Sequence, residues 1–206
     1  QWTSPNPPFK VLTYNILTHD FTLTSSYVTD PDVIAAINLG DTNAAIGVAQ
    51  GFFSGFNAYT KDIDATKTQT TLYSINGTTQ LLQPAISLST TQVIQVDFFQ
   101  KDLNKLPMYY PQPNHSIINA LVGSSNGGPA VLTANSSVKS ITTTSGTYPI
   151  KSVNEAFMEL QTASPSAFIA SPSNPPVDTV HIRQASLGYY IGQGPQQYLL
   201  PIYVFQ

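Results

Sequence analysis

The apolar positions in the last sixty residues follow first a helical period and then a strand period. One helix face, at i, i+3, i+4 and i+7, is formed by Val153, Ala156, Phe157 and Leu160. Ser152 and Glu155 have the S-x-x-E spacing of a capping box, in which each side chain satisfies a free backbone N–H group. The pattern predicts a helix over 152–161, and the prolines that begin at Pro165 exclude its continuation.

Two strands are predicted after this helix, over 177–190 and 198–205. The apolar phase of the first strand slips by one residue, which predicts a β-bulge near Gln184. Pro201 cannot donate a ladder hydrogen bond, so the second strand is expected at a sheet edge or a bulge.

The first half of the chain shows the same two kinds of pattern. A broad apolar face predicts a helix over 41–59, with a cap at Asp41, Thr42 or Asn43. Glycine recurs on this helix at every fourth residue, which we interpret as close packing on a sheet: Gly47, Gly51 and Gly55. Strands are predicted over 9–18, 21–27, 70–75, 91–100 and 115–122, with weaker ones between 131 and 144. Asn76-Gly77 predicts a hairpin turn.

The order of elements is similar in the two halves. Each half has a helix, an aromatic-ended strand, a turn and an L-P-apolar-Tyr segment, at 106–109 and at 200–203. The predicted fold class is therefore α+β, with two related lobes that each pack one helix on an antiparallel sheet. The predicted divisions are a linker over 1–8, an N-terminal lobe over 9–110 and a C-terminal lobe over 111–206.

Composition narrows the functional classes. The chain has 206 residues, of which only 9% are charged, and its net charge is −3. A surface rich in Ser, Thr, Asn and Gln is typical of exported proteins, and the lack of a basic patch argues against nucleic-acid binding. With no cysteine, the chain has no disulfide, thiolate nucleophile or zinc-thiolate site. We expect no cofactor, and membrane attachment only through a segment that this chain does not contain.

Candidate sites are few. No G-x-S-x-G motif accompanies His19, His115 or His181, so a hydrolytic triad is not predicted. The helix carboxylates Glu155 and Glu159 lie on one face, and the capping box accounts for the first of them.

A calcium site and glycosylation sites are the remaining candidates. Asp62 and Asp64, flanked by threonines, could bind calcium through oxygen ligands, although turn capping is the more frequent role of such pairs. The glycosylation candidates are the N-x-S/T sequons at Asn76, Asn114 and Asn135.

Three segments of the second half carry a family resemblance. GTYPIKSVNEAFMELQ, VHIRQASLGYY and YLLPIYVF together resemble the carboxy-terminal part of PepSY-related, YycI/YycH-like extracytoplasmic domains. VDFFQKDLNKLPMYYP is similar to membrane-anchored envelope proteins of candidate-phylum bacteria. The resemblance implies two helix-on-sheet lobes outside the cytoplasmic membrane that act through protein contacts.

The expected function is a non-enzymatic, extracytoplasmic protein-interaction module tethered to the cell envelope, which binds a protein partner. An alternative is a structural subunit of a surface layer or extracellular filament, which associates with itself through strand edges. A hydrolase is the third hypothesis.

Overall fold

The computed structural model describes residues 1–5, 9–36, 39–139, 141, 146, 149–162, 179–194 and 196–206. Within these residues the α-helices are α1 (Pro31–Ala35), α2 (Thr42–Gly55) and α3 (Val153–Gln161). The strands are β1 (Trp2–Thr3), β2 (Lys10–Tyr14), β3 (Phe21–Ser25), β4 (Gln69–Ile75), β5 (Leu82–Pro84), β6 (Val93–Asp97), β7 (Met108–Tyr109), β8 (Ile118–Ser125), β9 (Gly128–Ser136), β10 (Ala185–Tyr190) and β11 (Leu200–Phe205). The chain divides into two compact units, residues 1–100 with 116–138 and residues 101–115 with 139–206.

The first unit is an eight-stranded antiparallel sheet in the order β1-β2-β3-β9-β8-β6-β4-β5. Most neighbours are hairpins, but β3 pairs with β9, so that Phe21 lies opposite Ser136. Such a pairing joins segments more than one hundred residues apart and cannot be read from local spacing. The outermost strands, β1 and β5, have only two and three residues.

Helices cover both faces of this sheet, because its central strands are apolar on both sides. In β6, Ile94 and Val96 alternate with Val93, and all three are fully buried. Helix α2 packs on the face that carries Ile94 and Val96, where the ring centroids of Phe53 and Phe98 lie 5.7 Å apart. On the opposite face, α1 buries Val33 in a cluster with Val93 and Leu132.

Helix α2 begins where the sequence predicts. The Asp41 carboxylate accepts a hydrogen bond from the backbone N–H of Ala44 and so caps the helix. Its buried stripe repeats every fourth residue: Ala45, Ala49 and Phe53. The interpretation of the glycine stripe is wrong, because no atom outside the helix lies within 4 Å of where a Cβ would stand on Gly47, Gly51 or Gly55. The side chains of Ala45, Ala49 and Phe53, not the glycines, form the buried face of α2.

The β2–β3 and β4–β5 hairpins have the same six-residue loop. In each loop an asparagine, Asn15 or Asn76, accepts backbone N–H bonds with its side chain from the residues two and three positions later. Its backbone carbonyl accepts the N–H of the residue four positions later, His19 or Gln80, which has a positive φ. The predicted Asn76-Gly77 hairpin is therefore confirmed, with a longer loop than the two residues of the tightest turns.

A buried carboxylate joins β6 to the start of β8. Asp97 is fully buried, and its side chain accepts bonds from the Ser116 N–H at 2.7 Å and from Gln95 Nε2 at 2.9 Å. The Ser116 hydroxyl donates in turn to the backbone carbonyl of Phe98. The chain leaves the first unit after Gln100 and returns at Ser116, so these hydrogen bonds connect the segments where the chain leaves the unit and re-enters it.

The second unit contains a three-stranded sheet, β11-β10-β7, in which β7 runs parallel to β10. Consecutive N–H groups of Arg183 and Gln184 both donate to the carbonyl of Gln206, which is the hydrogen-bond pattern of a β-bulge. The bulge predicted near Gln184 is confirmed, and so is the edge position of Pro201 in β11. Helix α3, with the predicted Ser152–Glu155 capping box, places Phe157 against the ring of Phe205.

The predicted fold class is wrong. The structure is 21% helical and mostly β, with one eight-stranded sheet and one small second sheet instead of two related helix-on-sheet lobes. The two L-P-apolar-Tyr segments are not equivalent strands of two lobes, since they form β7 and β11, the two edges of the same sheet. Trp2–Thr3, inside the predicted linker, form β1. The predicted domain division at residue 110 stays a prediction.

Candidate functional site

The predicted acidic pair lies in a capped turn. The Asp64 carboxylate accepts bonds from both the backbone N–H and the hydroxyl of Thr66, at 3.0 and 2.6 Å, and so caps the 3-10 turn over 65–67. The backbone N–H of Asp62 donates to the Thr60 hydroxyl. Among the described residues, no three His, Asp or Glu side chains come together as a metal site. Calcium binding by this pair stays a prediction.

The three sequons differ in their surroundings. Asn114 is exposed in a turn with a positive φ of 62°. The Asn76 side-chain oxygen organises the β4–β5 loop, and Asn135 on β9 donates its side-chain nitrogen to the carbonyl of Ile117. A glycan is attached through that nitrogen, and Asn114 is exposed whereas Asn76 and Asn135 are half-buried, so Asn114 is the most accessible of the three. Glycosylation itself stays a prediction.

The other polar candidates occupy separate places in the fold. His19 bonds the Tyr14 hydroxyl in the β2–β3 loop, and His181 is exposed ahead of β10. The Glu155 side chain accepts from both the backbone N–H and the hydroxyl of Ser152, and these two bonds lower its pKa. Glu159 pairs with Lys151 at 2.5 Å. The helix carboxylates therefore have structural partners.

An apolar groove lies beside α2 in the first unit, and we call it the α2 groove. Its volume is about 330 Å³, and it is lined by Trp2, Lys10, Leu12, Leu23, Val48, Phe52, Phe56 and Val131. Helix α2 packs mainly on β9, β8 and β6, and the rings of Phe52 and Phe56 at its edge reach Phe21 on β3. The groove lies beside this edge, over the strands β1 to β3 and β9. Its size lies near the lower end of the ~300–1,000 Å³ that is typical of ligand pockets.

One wall of the groove comes from a second stripe of α2. Val48 and Phe52 of α2 and its C-cap residue Phe56 recur every four residues, each one position before or three after a residue of the buried stripe. The ring of Phe56 lies 4.8 Å from that of Phe21 and 5.1 Å from that of Phe52, centroid to centroid. Because the rings of Phe21 and Phe52 also contact Phe53 in the core, this wall is held by the packing of the unit itself.

The other wall comes from the sheet. Leu12 pairs with Leu23 across β2 and β3, and Trp2 pairs with Leu12 across β1 and β2. The Trp2 side chain is 55% exposed at the outer end of this row. The two-residue strand β1 thus extends the groove by one strand and places an aromatic ring on its rim.

Lys10 is the charged residue of the groove. Its ammonium donates to the carbonyl of Val131 at 2.9 Å. Burial lowers the pKa of this ammonium below its ordinary value, and the nearby Asp30 carboxylate opposes that shift. A desolvated ammonium in an apolar groove favours a ligand that supplies further acceptors, such as backbone carbonyls or a carboxylate.

The opposite face of the same strands is polar. Thr13, Thr22 and Thr24 point away from the groove and are exposed, in agreement with the uncharged surface expected from composition. One face of β2 and β3 is therefore an aromatic and aliphatic groove, and the other is a threonine surface.

Sequence patterns did not locate the α2 groove. They marked the broad apolar face of α2, but a periodic pattern does not tell which part of that face a sheet covers. The signal available in the sequence was the width of the apolar face of α2. One stripe of apolar residues is enough to pack a helix on a sheet, and α2 has two. Among the described residues, no helix has the length and apolarity to cross a membrane.

Comparison with known proteins identifies no relative: no protein-family model, curated protein or solved structure matches this chain.

Proposed function

We propose that this chain is a non-enzymatic protein-interaction module that binds an apolar segment of a protein partner in the α2 groove. The observation that carries the proposal is the groove itself, which has two apolar walls and a half-buried lysine between them. Clusters of exposed aromatic and aliphatic side chains around a concave surface are typical of binding sites for amphipathic segments.

The partner is a protein segment because of the mixture of groups in the groove. The aromatic and aliphatic walls accept side chains, and Lys10 can donate to a backbone carbonyl. The net charge of the chain is −3, which argues against a polyanion as the partner.

We place this module outside the cytoplasm, at the cell envelope. The low charge content of 9% and the exposed threonine face of β2 and β3 support this location. The PepSY-like and YycI-like resemblance of the second half supports the same location and stays an expectation. Protease treatment of intact cells should digest the protein if it faces the exterior.

The alternative, a structural subunit that assembles by strand pairing, has weaker support. Both outer strands of the large sheet are short, and β5 ends in Pro84. The edge strand β11 contains Pro201. Short or proline-containing edges are the features by which proteins avoid edge-to-edge pairing.

A photo-reactive side chain in the groove tests the proposal. Benzoyl-phenylalanine in place of Val48 should cross-link to a discrete protein in intact cells, whereas the same group in place of Thr22, on the opposite sheet face, should not. Mass spectrometry of the product identifies the partner. Equal cross-linking from both positions, or none from Val48, would contradict binding in the α2 groove.

A further inference from the structure

The β2–β3 loop presents two large apolar side chains to solvent. Ile16 is 79% exposed and Leu17 is 86% exposed at its tip. The loop beneath them is organised: Asn15 Oδ1 accepts the N–H groups of Leu17 and Thr18, and the Asn15 carbonyl accepts the N–H of His19. We call Ile16 and Leu17 the β2–β3 tip.

The loop conformation does not require an apolar tip. The β4–β5 loop has the same hydrogen bonds around Asn76, yet Gly77 and Thr78 occupy the positions that correspond to Ile16 and Leu17. Exposing two aliphatic side chains is unfavourable in water. The turn itself therefore does not explain this pair, whereas burial against a partner does.

The α2 groove has the right size and chemistry to receive the β2–β3 tip. A methyl or methylene group is about as large as a water molecule, ~30 Å³, so the eight side-chain carbons of the tip need roughly 240 Å³. The groove offers about 330 Å³. Lys10, whose hydrogen bond among the described residues goes to Val131, can donate to a carbonyl of an incoming loop.

We propose that the partner of the α2 groove is a second copy of this chain, which inserts its β2–β3 tip. This inference rests on the proposed function of the groove and names its ligand. The contact joins two different surfaces, so it supports a reciprocal pair or, where the angle does not close, a head-to-tail chain of copies. Such assembly uses side chains in a groove and no strand edges.

Three variants test the contact. Ile16→Gly with Leu17→Thr copies the tip of the β4–β5 loop and preserves the turn. Val48→Trp fills the groove. The matched control is Ile86→Thr, because Ile86 is fully exposed and lies outside both surfaces. Sedimentation velocity measures the dissociation constant of the self-associated chain. The tip variant and the groove variant should each raise this dissociation constant by about tenfold or more, and the control should leave it unchanged.

Mixing the variants gives the decisive result. The tip variant keeps a working groove and the groove variant keeps a working tip, so an equimolar mixture should form heterodimers and nothing larger. Because the chain has no cysteine, Leu17→Cys and Val48→Cys can be placed on separate copies, and their thiols should cross-link to each other. Leu17→Cys mixed with Ile86→Cys should not cross-link.

Several results would overturn the inference: a wild-type chain that stays monomeric at millimolar concentration, equal weakening by Ile86→Thr, or a mixture that stays monomeric. A monomeric wild type that still cross-links from position 48 to a foreign protein would overturn the inference and retain the proposed function. Absence of every cross-link from position 48 would overturn both.

Discussion

At the scale of single residues, the carboxylate of Asp97 is a buried charged group in the sheet of the first unit. It is fully buried and accepts bonds from the Ser116 N–H and from Gln95. Without it, two donors lose their acceptor in the sheet interior, where an unsatisfied polar group costs about 1–3 kcal/mol.

Asp97→Ala is therefore expected to lower the free energy of unfolding by about 3 kcal/mol, in the range found for broken buried networks. Asp97→Asn keeps one side-chain acceptor for Ser116 and should cost less. Urea unfolding followed by circular dichroism measures both. Equal stability of Asp97→Ala and wild type would show that the network contributes nothing to folding.

Tyr73 gives the fold a dependence on alkaline pH. Burial, and then the charge of Asp97, raises the pKa of the Tyr73 phenol above its ordinary value of 10.0. As the pH rises above about 10, the unfolded state loses the phenol proton before the folded state does. The stability that the protonated phenol contributes below that pH is therefore lost as the pH rises through the native pKa. The free-energy difference between wild type and Tyr73→Phe should therefore be constant below the ordinary phenol pKa of 10.0 and shift against wild type as the pH rises above it. A difference that is constant with pH would contradict the assignment.

At the scale of elements, the space around two glycines distinguishes a closely packed strand, β10, from an open helix face on α2. A Cβ on Gly188 in β10 would lie 2.6 Å from the carbonyl oxygen of Pro107 and 2.4 Å from the Tyr109 ring, the residues that precede and form the paired strand β7. A Cβ on Gly51 of α2 would meet nothing within 4 Å.

Gly188→Ala should destabilise the chain by roughly 1–3 kcal/mol, because backbone atoms must move to relieve the overlap. Gly51→Ala should stabilise it by up to about 1 kcal/mol, because alanine favours the helix. Thermal unfolding of the two variants measures these opposite signs. Destabilisation by Gly51→Ala would mean that the glycine stripe packs closely after all.

The same scale shows how far sequence patterns reach. The capped helices α2 and α3, the bulge at Gln184 and the Asn76 hairpin depend on neighbours within a few residues, and their prediction was correct. The arrangement of strands depends on distant pairings such as β3 with β9, and its prediction was wrong. The L-P-apolar-Tyr segments looked like a repeat, but they form the two edges of one sheet, β7 parallel and β11 antiparallel to β10.

The candidate site falls between these cases. The apolar residues of α2 were recognised, but the α2 groove also needs Leu12, Leu23 and Trp2, which belong to strands without local evidence of their order. In the sheet, β1 to β3 lie beyond β9, and their position decides which part of the sheet α2 covers. Only the assembled sheet decides that one stripe of α2 is buried and the next lines a groove.

At the scale of the whole molecule, we propose that the α2 groove is the contact surface of this weakly charged protein. The groove carries aromatic rings from α2 and a half-buried cation, while the reverse of the same strands carries exposed threonines. A binding partner should consequently be sensitive to substitutions at Val48 or Phe56 and insensitive to substitutions at Thr22 or Thr24.

The most direct test of this claim is a methyl NMR titration of the full chain. The ligand is a cyclised peptide that copies residues 14–21, and a peptide with the Ile16→Gly and Leu17→Thr changes is the control. We expect the methyl signals of the groove residues to shift with the first peptide and those of the buried cluster to stay in place: Leu12, Leu23, Val48 and Val131 in the groove, and Val33, Val93 and Leu132 in the cluster. Unmoved groove signals, or equal shifts with both peptides, would contradict it.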